Sequence, residues 1–197
     1  MSDVFKQFTM GGDPPEELAP RRELHIELVP RTAWGVNLRS ALSKAGWDKL
    51  RKATYRKAGY VCEICGGKGP RHPVECHEIW EYEDIKGRRG DQGVPIQRLV
   101  GLVALCPACH EVKHFGRATV TGKRDRAFRH LMRVNGWDPG QARRHVREAK
   151  DLWDARSYWR WELDLSWLET QGVAIPEQGR EPEIDDDFWG GFHPTDF

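Results

Sequence analysis

Three short stretches within 53 residues govern how this chain can fold: C-E-I-C at 62–65, C-H-E-I-W at 76–80, and L-C-P-A-C-H-E-V-K-H at 105–114. Two cysteines separated by two residues can bite a single metal ion, and two such pairs fill a tetrahedron. Cys62, Cys65, Cys106 and Cys109 are therefore expected to hold a structural Zn²⁺, with no coordination position left open for chemistry. The chain between the pairs must leave and return, which is the work of a hairpin. Cys76 stands outside both pairs and reads as a buried thiol. The histidines are left for a second ion. His110 and His114 fall one turn apart on a helix and project from the same side. With His77 they form a second candidate ligand set. Glu78 follows His77 on a strand, so the two point to opposite faces and do not share an ion unless a bulge intervenes.

Charge refines this reading. The net charge is only +1, with 31% charged and 39% apolar residues. Residues 113–150 nevertheless hold eleven Lys/Arg against three Asp/Glu, and residues 177–197 hold seven acids against one Arg. A basic block beside a metal site points to a polyanionic partner. The acidic tail carries Phe188, Trp189, Phe192 and Phe197, which suits a protein partner. No apolar run reaches membrane-spanning length and no signal-peptide pattern is present, so a cytoplasmic location, reduced thiols and no membrane partner are expected.

In chain order, residues 1–20 are rich in Gly and Pro and read as disordered. Residues 21–61 read as a strand and a basic helix. Leu24, Ile26 and Leu28 alternate toward Pro30, and Trp47, Leu50, Thr54 and Ala58 mark one face of a helix at 47–58. Trp34 is a candidate core anchor. Residues 62–116 form the metal-bearing core, with strands at Val74–Tyr82 and Ile96–Leu105, a basic turn-rich loop at 85–95, and a second knuckle opening into a helix at Cys106–Phe115. Residues 117–170 hold helices at Asp125–Val134 and from Asp138-Pro139 to about Tyr158. A strand then alternates Trp159, Trp161, Leu163, Leu165 and Trp167 with polar positions. That strand is expected in the core and is a candidate partner for the 24–29 strand. Residues 171–197 are the acidic aromatic tail. The fold class is α+β, helices and short strands flanking the four-cysteine core.

Residues 62–114 resemble the HNH endonucleases, the zinc-knuckle branch of the ββα-metal nucleases. E-C-H-E-I-W is similar to the family's dyad strand, and G-L-V-A-L-C-P-A-C-H to its segment entering the helix. The resemblance covers about a quarter of the chain. It implies a hairpin and helix gripping one catalytic divalent cation (Mg²⁺, Mn²⁺, Ni²⁺ or Zn²⁺) and hydrolysis of phosphodiester bonds in DNA. By that likeness His77, His110 and His114 hold the ion and Glu78 takes the general-base position. In an alternative register His77 is the base and Cys76 the ligand. The family's base is a histidine, and the family's asparagine falls at Gly101. A carboxylate base has no tautomer to be fixed, so the missing asparagine matters less to it. Lys113, Arg117, Arg126, Arg129 and Arg133, with Lys86, Arg88 and Arg89 of the loop, are the expected contacts to the nucleic-acid backbone. The alternatives are a non-catalytic nucleic-acid-binding module on the same scaffold, or an adaptor working through the tail.

Overall fold

Alternating side chains of two strands, Glu75–Glu83 and Ile96–Leu105, build the centre of the molecule. The computed structural model describes residues 23–33, 38–83 and 94–175. The expectations for residues 1–20, for Trp34, for Lys86, Arg88 and Arg89, and for the tail from Pro176 lie outside those residues. Strands β1 (Glu75–Glu83) and β2 (Ile96–Leu105) pair antiparallel, Glu75 opposite Leu105 and Glu83 opposite Ile96. Both fall within a residue of the sequence expectation. A third strand, β3 (Glu162–Asp164), runs parallel to β2, leaving β1 at the sheet's edge.

One irregularity organises what packs where. Ile79 faces Gly101 while Trp80 faces Leu99, so Val100 is an extra residue in β2. Such a bulge shifts the alternation by one place. Leu99 and Leu102 consequently reach one core, whereas Val103 and Leu105 reach the other. On β1, Ile79 packs toward the second of these and Trp80 toward the first. By period two, Glu75 and His77 share a face with Ile79, and Cys76 and Glu78 share the face with Trp80.

The Ile79 face carries the larger core. Against it lie α3 (Pro107–Lys113), α4 (Phe115–Val120), α5 (Arg124–Asn135) and α6 (Pro139–Arg156), with Phe115, Val112, Leu131 and Ala142 fully buried among them. Helix α6 starts where the sequence placed it: the Asp138 carboxylate accepts from the Gly140 and Gln141 amides, Gln141 returns a bond to the Asp138 amide, and Pro139 fills the first position. The Trp80 face is covered by α1 (Leu38–Ala41), α2 (Lys44–Lys57) and α7 (Trp167–Thr170), around Leu50, Leu99 and Leu168. The result is a mixed α+β fold. None of the described helices is long and apolar enough to cross a membrane.

Two expectations are corrected. Residues 24–29 alternate in burial as foreseen but join no ladder. Two side chains and one carbonyl take up their backbone groups instead: Asn135 both accepts from the Leu24 amide and donates to its carbonyl, His145 Nε2 accepts from the Ile26 amide, and the Lys113 carbonyl accepts from the Glu27 amide. The Trp-rich run forms only the three residues of β3, because the parallel partner β2 ends its pairing at Arg98 and Trp167 turns into α7. It therefore pairs with β2 and not with residues 24–29.

Candidate metal centre

The two knuckles meet because each is locally tight and both are tied to β2. After Cys65 the chain reverses at Gly66, whose φ of 72° suits a residue without Cβ. The Gly66 amide bonds the Cys62 carbonyl at 2.8 Å, and the Cys62 amide the Gly67 carbonyl at 2.9 Å. Glu63 then clips this turn to β2, its amide bonding the Ala104 carbonyl and its carboxylate accepting from the Ala104 amide at 2.7 Å. Cys106 caps α3, with Pro107 in the first turn.

The four sulfurs of Cys62, Cys65, Cys106 and Cys109 lie within 4.8 Å of one another. Cys65 and Cys106 are 3.7 Å apart, near the ~3.8 Å edge of a tetrahedron with ~2.3 Å metal–sulfur bonds. Their acidities diverge: hydrogen bonds from the Cys106 and Cys109 thiols pull Cys62 down, and those same contacts with Cys106 and Cys62 push Cys109 up. Four thiols this close ionise together only around a cation. The cluster therefore fits a structural metal ion, as the sequence reading anticipated. Cys76, outside it, is buried as expected.

His77, His110 and His114 form the second group, again within 4.8 Å of one another. Ring centroids stand 5.2, 4.9 and 4.7 Å apart, all edge-on. The Nε2 atoms of His110 and His114 are 3.1 Å apart, close to the ~3.0–3.4 Å expected of two nitrogens on one ion at ~2.1 Å. Carboxylates settle the tautomers. The Glu27 carboxylate takes the proton of His77 Nε2 at 3.0 Å, leaving the Nδ1 lone pair buried and without a partner. Glu75 takes that of His110 Nδ1 at 2.5 Å, which frees Nε2. His114 is held neutral, at about 3, by burial and then by the neighbouring His77 and His110. Burial works to raise the pKa of Glu27, but bonds from His77 and then Lys113 hold it at about 2. The His110 bond likewise lowers Glu75 against the effect of burial. Three imidazoles thus converge, two of them backed by carboxylates, which is how histidines are prepared for a metal.

Glu78 stands apart from this cluster, on the Cys76 side of β1, where its charge adds to the upward push of burial on the Cys76 thiol. Both faces nevertheless open onto one groove of about 1640 Å³ that wraps the edge strand and is lined by His77, Glu78, His110 and His114. Arg117 lines it too, as do Arg51 of the basic helix and Arg39, Lys44 and Arg156, the last three not singled out from sequence. Of the other expected backbone contacts, Lys113 is buried and bonded to Glu27. Arg126 is forked onto Glu111, Arg133 bonds His130, and Arg129 is exposed. The orienting acids were missed. Glu75 had a signal, lying two residues before His77 and so on its face. Glu27 had none, being fifty residues away.

No family model, curated protein or solved structure matches this chain.

Proposed function

We propose that the chain is a metal-dependent phosphodiesterase of the HNH endonuclease type, acting on DNA, with Zn²⁺ in the four-cysteine site. The observation that carries this reading is the second cluster. Its three imidazoles converge, two with a carboxylate behind them, at the wall of a groove with five cationic side chains. His77, His110 and His114 would hold a divalent cation there, which would supply Lewis-acid charge neutralisation for phosphodiester hydrolysis.

The chain's own groups supply the rest. His77 Nδ1, His110 Nε2 and His114 Nε2 are the ligand atoms. Glu27 and Glu75 keep two of those rings in the right tautomer. Glu78 is the proton acceptor for the attacking water. It lines the groove and, among the described residues, carries no ion pair, whereas Glu27, Glu75 and Asp48 are all engaged. This assignment also leaves His77 a ligand rather than a base, since a ring with one nitrogen on Glu27 and the other on metal has no site left for a proton. Arg117, exposed at the groove, holds the phosphate backbone without reading sequence.

A second reading draws on one specific feature. Glu78 is not a member of the histidine cluster, and Gly101, opposite Ile79, has no side chain with which to orient a base. The same groove would then bind nucleic acid without cutting it. Supercoiled plasmid incubated with Mg²⁺, Mn²⁺, Ni²⁺ or Zn²⁺, beside Glu78→Ala and His110→Ala, separates the two. Metal-dependent nicking lost in both variants supports the hydrolase. Plasmid shifted in a gel but never cut, under any of these ions, leaves the binding module.

A further inference from the structure

The four-cysteine centre has a fifth contributor. His130, on α5, lies 3.2 Å from the Cys109 sulfur through Nε2, and both residues are buried. Its other ring nitrogen, Nδ1, is 2.7 Å from Nη2 of Arg133, one turn further along the same helix. A guanidinium has donors and no acceptor. Nδ1 must therefore offer its lone pair to Arg133, the ring proton must sit on Nε2, and that N–H is aimed at sulfur.

We infer that His130 and Arg133 belong to the metal centre, His130 as an N–H donor to the Cys109 thiolate and Arg133 as the positioning residue that fixes the donating tautomer. Four thiolates on a divalent ion leave a net charge of −2 in a low-dielectric pocket. Backbone amides also reach these sulfurs, among them Gly67 to Cys65 at 3.4 Å and Cys109 to Cys106 at 3.5 Å, and these two are long bonds. His130 is shorter and is linked through its ring to a full positive charge, so it draws electron density from Cys109 more strongly than a peptide N–H. A thiolate so engaged is a weaker nucleophile and holds its metal longer. Position matters as well: a recess of about 250 Å³ beside the centre is lined by Cys65, His130, Arg133 and Val134, so both members of the pair border it. Arg133, expected from sequence to face a phosphate, serves the metal instead.

The test uses the full-length chain loaded with zinc. Long-range ¹H–¹⁵N correlation should show His130 protonated on Nε2 and not on Nδ1. Arg133→Met should let the Nδ1-protonated form appear, whereas Arg133→Lys, also a pure donor, should keep the wild-type pattern. Transfer of zinc to a competing chelator should quicken about tenfold in His130→Gln and Arg133→Met, at the lower end for loss of such a partner, and stay near wild type in Arg133→Lys. A purely structural role for Arg133 would show no rescue by lysine. A His130 protonated on Nδ1 in the wild type, or equal release rates in all variants, overturns the inference. Arg133 is exposed, so its variants report even if those of His130 fail to fold.

Discussion

Glu27 decides what His77 can do. Without its carboxylate at 3.0 Å, the buried ring would be free to protonate on either nitrogen, and the Nδ1 lone pair would no longer be assured. Glu27→Leu is expected to weaken divalent-ion binding at the histidine cluster at least about tenfold, while Glu27→Gln, whose carbonyl still accepts, retains most of it. Calorimetric titration with Zn²⁺, after the four-cysteine site is filled, measures this; equal affinities in wild type and Glu27→Leu would remove the orienting role. Lys113 makes a complementary case. Sequence placed it with the phosphate contacts, because a lysine one residue before a ligand histidine in a basic helix looks available. Burial and the bond to Glu27 say otherwise. Lys113→Met should cost about 1 kcal/mol of stability, modest because the Glu27 side chain is partly open to solvent. It should leave the salt dependence of DNA binding unchanged. Arg117→Ala, by contrast, should reduce the slope of log K against log salt by about 1.

Among elements, the segment at residues 23–30 is the most instructive. Its alternation was legible, and so was its burial. Its mode of attachment was not, because three of its hydrogen bonds end on Asn135, His145 and the Lys113 carbonyl, more than eighty residues away in sequence. His145 gives that attachment a pH dependence. Its Nε2 accepts the Ile26 amide and can do so only while that nitrogen is unprotonated. Burial, then His25, and more weakly Lys113, hold its pKa below the usual value; Glu148 and Glu23 act the other way. A histidine with a lowered folded pKa contributes its full stability above ~6.5 and loses it as the pH falls further. The gap in urea midpoint between wild type and His145→Leu should therefore be widest near pH 7.5 and narrow toward pH 5.5. A gap independent of pH would mean the ring acts only by packing. The hairpin, α5 and α6 were legible for the opposite reason: their signals are local. Alternation gave β1 and β2, Asp138-Pro139 gave the start of α6, and Gly136, at a φ of 67°, gave the end of α5. The bulge at Val100 had one local mark, Gly101 beside it, since a lone glycine within a strand pattern often accompanies a bulge.

For the whole molecule, the four cysteines and three histidines named from spacing alone do converge on two clusters, because C-x-x-C and H-x-x-x-H are short-range geometry. The groove's outer cations come from α1, α2 and α6, and no spacing links those elements. Stripping the four-cysteine metal with a chelator should lower the melting temperature well beyond the effect of any single surface variant, since Cys62, Cys106 and Cys109 lie within the larger core. A melting temperature unmoved by metal removal would show that this core holds without the ion. The nine residues Cys106–His114 carry ligands of both clusters on one short rod, α3 with its two ends. Any ion that fixes the rod at one end lessens the ordering required at the other. The two occupancies are then thermodynamically linked, and linkage is reciprocal: each metal should tighten the other by the same factor. Filling either cluster therefore prepares the other, whichever is filled first.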